Sequence, residues 1–111
     1  MPLTRSFKET VKERAQKDAA FREALLTEGI DALLAGDVDT GKAIIRDYIN
    51  ATVGFERLAQ ETGTPSKSLM RMFGPAGNPN ARNLFSVISR LQHTSGISLR
   101  VRRRPKSHLS R

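Results

Sequence analysis

Apolar residues recur at spacings of three and four through most of this chain, with polar residues between them, which is the rhythm of amphipathic helices. The most organised stretch is residues 54 to 73, GFERLAQETGTPSKSLMRMF. Phe55, Leu58, Ala59 and Thr62 share one face of a first helix, and Gly63 ends it, since glycine closes a helix in the left-handed conformation without steric penalty. Thr64-Pro65-Ser66 then offers capping hydroxyls and a proline for the first turn of a second helix. On that second helix Leu69, Met72 and Phe73 point inward, leaving Ser66, Lys67, Met70 and Arg71 outside. A helix-turn-helix built this way presents its second helix to base edges and phosphates. Ala59 and Gly63 are small, as a steep crossing of two closely joined helices requires. Any short helical hairpin shares some of these features, so the remainder of the chain has to discriminate.

Upstream, residues 4 to 17 follow Leu3 with Phe7, Val11 and Ala15 at intervals of four among alternating charges, predicting a surface helix with a narrow apolar stripe. Asp18 is placed to cap a second helix carrying Phe21, Leu25, Ile30, Leu33 and Leu34, which continues past Gly29 and stops at Gly36. Asp39 is placed to cap a third, whose Ile44, Ile45, Tyr48 and Ile49 form a broad apolar face.

Downstream, GPAGNPN at 74 to 80 is a loop. A helix from Asn80 to about His93 turns Leu84, Phe85, Ile88 and Leu91 inward and Arg82, Ser86 and Arg90 outward. Ile97, Leu99 and Val101 then alternate with Ser98, Arg100 and Arg102, a strand signal. With no other strand to pair with, the segment predicts antiparallel pairing with a second copy across a two-fold axis, making Ile97, Leu99 and Val101 the dimer interface. An extended tail with chance alternation is the plainer alternative. The expected fold is all-α: a helix-turn-helix bundle with extra N-terminal helices and a short C-terminal strand, one domain over 1–101 and a basic tail over 102–111.

Charge changes this picture. Residues 1 to 50 carry eight Lys and Arg against nine Asp and Glu, whereas residues 51 to 111 carry eleven against two, within a total of +8. The half with the helical pair is therefore the basic half, and such a field attracts a polyanion, duplex DNA first of all. Five Phe, one Tyr and no Trp argue against a single-strand binder that stacks bases on aromatic rings. No cysteine, no signal peptide and no long apolar run point to the cytoplasm. His93 and His108 lie far apart, and neither a metal nor a cofactor is expected. Glu56 and Glu61, five apart on one helix, do not face each other, so no catalytic pair is expected and the chain does not read as an enzyme.

The candidate DNA-binding residues are Ser66, Lys67, Ser68, Met70 and Arg71 on the second helix, Arg57 on the first, Asn78, Asn80 and Arg82 around the loop, and Arg102, Arg103 and Arg104 in the tail. The tail either adds phosphate contacts or is a solvated end.

Over residues 20 to 101 the chain resembles the putative addiction-module antidote family of lambda-repressor-like DNA-binding proteins. The matching positions are Phe21 to Leu34 with Gly36-Asp37, Leu58-Ala59, Glu61-Thr62-Gly63, Ser68-Leu69, Gly74-Pro75, Gly77-Asn78-Pro79, Asn83-Leu84, Val87-Ile88 and Leu99. The Gly-Asn-Pro loop is the most distinctive of them. At Thr64-Pro65 the family pattern has an aliphatic residue and a serine instead. The resemblance implies a HigA-type antitoxin: a dimer that represses its own operon and neutralises a RelE-like messenger-RNA-cleaving toxin. A stand-alone or prophage regulator with the same fold and no toxin is the alternative.

Overall fold

The computed structural model describes residues 6–103, and among them the chain forms six α-helices. These are α1 (Phe7–Lys17), α2 (Ala19–Leu34), α3 (Val38–Ala51), α4 (Phe55–Thr62), α5 (Ser66–Met72) and α6 (Ala81–Ser95). Short polar side chains start most of them. Ser6, Asp18, Asp37 and Asn80 each accept the backbone N–H of the residue three further on, satisfying one orphan donor of the first turn. The cap of α3 is thus Asp37 rather than Asp39, which lies one residue inside the helix.

Among the described residues the α2 and α3 helices pack most extensively, and two glycines allow it. A Cβ on Gly29 would stand 2.9 Å from Cγ1 of Ile45, and one on Gly41 would stand 2.6 Å from Cδ2 of Leu33 and 3.1 Å from the Gly29 carbonyl. Gly29 is therefore a contact surface inside α2, where the two backbones meet. Leu26, Ile45, Tyr48 and Ile49 join Phe55, Leu58, Leu69, Phe73, Val87 and Leu91 in one core that draws on α2 through α6. The hydroxyls of Tyr48 and Ser95 hydrogen-bond, tying α3 to the end of α6. A smaller cluster of Val11, Ala15 and Ala51 holds α1, and Leu25 packs against both.

Several inward assignments are corrected. Leu34 is 67% exposed, Phe85 is 62% exposed, and Phe7 also faces solvent. The buried arc of α6 is Leu84, Val87, Ile88 and Leu91, and one residue's step of about 100° carries Phe85 off it. On α2 the fully buried side chain is Leu26, not one of the five expected. Leu3 lies outside the described residues.

The expected strand does not form. Ile97 donates its N–H to the Gln92 carbonyl at 3.0 Å, and Leu99 donates to the Gln92 side-chain Oε1 at 2.8 Å. With donors consumed by the end of α6, Ile97 and Leu99 pack half-buried against the core, Ser98 and Arg100 face solvent, and Val101 is 87% exposed. The period-two alternation reflects an extended segment laid along the edge of the core, one side in and one side out, with no ladder.

Candidate nucleic-acid interface

The helices α4 and α5 are joined by Gly63, Thr64 and Pro65. Gly63 has φ 77°, a left-handed conformation that L side chains rarely adopt, and its N–H closes α4 on the Ala59 carbonyl. The expected capping hydroxyls are not used. Pro65 occupies the N-cap position of α5, and the Ser66 hydroxyl reaches back to Oε2 of Glu56 at 3.4 Å. Thr62 instead spends its hydroxyl on the Leu58 carbonyl and accepts the Thr64 N–H at 3.3 Å, which shapes the turn.

Two side chains pin α5 to the core: Leu69 and Phe73 are both fully buried. Lys67 and Arg71, four residues apart, are exposed on the opposite side, and Met70 between them is 46% exposed. Ser66 and Ser68 are half-exposed. This run is brought together as the sequence implies, a polar and cationic ridge with one thioether.

The loop that follows is folded against the end of α5. A Cβ on Gly77 would overlap the Arg71 carbonyl and stand 2.7 Å from that of Met72, so only glycine lets the loop approach so closely. Asn78, next in the chain, is exposed beside that end. Asn80 is engaged as the cap of α6 through its Oδ1, 2.8 Å from the Asn83 nitrogen, and Arg82 is exposed in the first turn.

Sequence reasoning missed Lys42 and Arg46. Lys42 is only 4% exposed and donates to the carbonyls of Gly74 at 3.1 Å and Gly77 at 2.5 Å, with Asp39 3.9 Å away. Arg46, one turn along α3, donates from Nη1 to the Phe73 carbonyl at 3.0 Å. The signal was available. Lys42 precedes Ile45 by three and Ile49 by seven, which puts a charged residue in the buried row of α3, where it needs partners.

Arg57 is not a free cation, because its Nε donates to Oε2 of Glu61 at 3.0 Å. Oε1 of Glu61 accepts the Thr94 hydroxyl, also at 3.0 Å, linking α4 to α6. That hydroxyl, with the guanidiniums of Arg57 and Arg90, holds the Glu61 carboxyl below the usual glutamate range, against a desolvation that pushes it up. The Asp18 carboxyl is likewise lowered, first by the Phe21 N–H and then by Arg14. No family model matches this chain, nor does any curated protein or solved structure.

Arg102 and Arg103 are exposed, and Arg104 lies outside the described residues. The chain leaves α6 at Gly96, about 24 Å along the helix from Asn80. Of the three residues expected at a dimer interface, Ile97 and Leu99 are partly covered by their own core and Val101 alone is fully presented. No helix among the described residues is long and apolar enough to cross a membrane.

Proposed function

We propose that this chain is a sequence-specific binder of double-stranded DNA that acts as a transcriptional repressor, with α4 and α5 as a helix-turn-helix of the lambda-repressor-like kind. The observation that carries the reading is the two-sidedness of α5: Leu69 and Phe73 lock it in place while Lys67, Met70 and Arg71 stand outward at the spacing a groove-reading helix uses. The excess of cations over carboxylates in residues 51 to 111 supports it, because phosphate neutralisation supplies a large share of the affinity of such proteins. Arg71 and Lys67 are assigned to base edges or adjacent phosphates, and Asn78 and Arg82 to the flanking backbone.

A single helix-turn-helix reads few base pairs, so the proposal includes a homodimer on half-sites about one helical turn apart. Phe85 and Val101 are exposed apolar residues available to such an association. The resemblance to antidote proteins supports a role as the antitoxin of a type II module, holding a RelE-like toxin. A co-transcribed small basic reading frame whose product co-purifies with this chain supports that role; its absence favours the stand-alone regulator.

The experiment is selection of bound fragments from the organism's own genomic DNA, followed by titration of an enriched duplex and a scrambled one at two salt concentrations. Preference for the enriched duplex is expected. Retention of no duplex even at low salt would overturn the reading and leave a helical partner-binding protein.

A further inference from the structure

We infer that Lys42 and Arg46 are positioning residues for DNA reading: α3 clamps the end of α5 and the loop after it, and so sets the aim of Lys67, Arg71 and Asn78. This deepens the proposed function and rests on it. Three observations carry it. The clamp is built: the two side chains, four apart on α3, donate to three carbonyls of the α5 exit, those of Phe73, Gly74 and Gly77. It is largely out of solvent, since Lys42 is 4% exposed and so cannot itself touch a nucleic acid, and Arg46 is half-buried. It is also tight, because Gly77 lies where even a methyl group would overlap the Arg71 carbonyl.

The physics explains why α5 would depend on such a device. It has seven residues, two turns, too short to hold itself together in water. Its last carbonyls have no partners of their own within the helix. Two cations at its C-terminal end complement the helix dipole, and they bond the carbonyls just past the last turn, those of Phe73, Gly74 and Gly77. Because the cations are held on α3, which is locked to α2 through Gly29 and Gly41, the direction of α5 is referred to the rigid part of the core. The N-terminal half of the chain, which carries little net charge, thereby takes part in recognition without contacting DNA.

The test compares Lys42→Met and Arg46→Met with the native chain on the enriched and scrambled duplexes described above. Both variants are expected to fold, to bind scrambled duplex within about twofold of native, and to lose about tenfold or more on the enriched duplex, the scale of one good base contact. A general loss of structure would instead lower both affinities in proportion. Parallel losses, or unchanged discrimination in both variants, would overturn the assignment. If Lys42→Met does not fold, the half-buried Arg46→Met carries the same comparison.

Amide hydrogen exchange on DNA-free protein decides the clamp separately. The Gly74 N–H, bonded to the Arg71 carbonyl, and the Gly77 N–H, bonded to the Gly74 carbonyl, should exchange faster in the variants while the α4 amides stay as they are. Unchanged exchange at Gly74 and Gly77 sinks the clamp. Faster exchange there, together with a native protein that prefers no duplex, would leave the clamp standing and the DNA reading fallen.

Discussion

The hydroxyl of Thr94 on α6 donates to Oε1 of Glu61 at 3.0 Å, across a sequence separation of 33 residues. Because Arg57, one turn earlier on α4, takes the other oxygen, Glu61 joins α4 to α6 and occupies the single Lys or Arg that the first helix of the pair carries.

The lowered carboxyl gives this contact a pH signature. A depressed folded-state value means the stabilisation is fully present above the ordinary glutamate range, about pH 4.3, and is lost as the pH falls through the lower folded-state value. Thr94→Val removes the largest cause of the depression. Melting curves of native and Thr94→Val protein should therefore differ at neutral pH and converge as acid protonates Glu61. A constant difference from neutral to strongly acid conditions would contradict the assignment.

Arg71→Ala and Lys67→Ala truncate exposed side chains on α5 and should leave the melting temperature nearly unchanged. Each should weaken binding to the enriched duplex by about 1 to 3 kcal/mol if it makes a base contact. Native affinity in both, with normal circular dichroism, would remove α5 from the interface.

Leu69→Ala empties a fully buried position between α5 and the core. The expected cost is about 2 to 5 kcal/mol, a large share of a small domain's stability. Chemical denaturation reads it directly, and a loss below about 1 kcal/mol would show that α5 is not anchored where it is placed.

At the α2 and α3 contact the two glycines should rank. Gly41→Ala meets Leu33 at 2.6 Å and the Gly29 backbone at 3.1 Å, so little can yield, whereas Gly29→Ala meets only side-chain atoms of Ile44 and Ile45. Overpacking costs about 1 to 3 kcal/mol, offset in part by the roughly 1 kcal/mol that alanine gains over glycine within a helix. Gly41→Ala is expected to be the more destabilising of the two by urea denaturation, and the reverse order would refute the packing.

Deleting residues 102 to 111 removes Arg102, Arg103, Arg104, Lys106 and Arg111. For every phosphate that these side chains neutralise in the native complex, the slope of log affinity against log salt should become shallower by about 0.9, with sequence preference kept. An identical slope would make the tail a solvated end.

The six helices were legible because their causes are local. Spacings of three and four at Leu58 and Thr62 or Ile45 and Ile49, a capping Asp18 or Asn80, and a corner Gly63 act within a turn or two of chain. The outward ridge of Lys67, Met70 and Arg71 followed from the same arithmetic once Leu69 and Phe73 were placed inside. What the sequence alone left open depends on partners distant in the chain. Whether Ile97 and Leu99 pair as a strand or lie on the core is decided by Gln92, which takes their N–H groups. Whether Leu34 or Leu26 is buried depends on where α3 lands on α2, which the glycine contact sets. The charge of Lys42 is tolerable inside only because the exit of α5, more than thirty residues on, brings two carbonyls within reach of it. A pattern along the chain carries direction, face and stopping point; which faces meet, and which buried donors find acceptors, is settled only when the whole chain closes on itself.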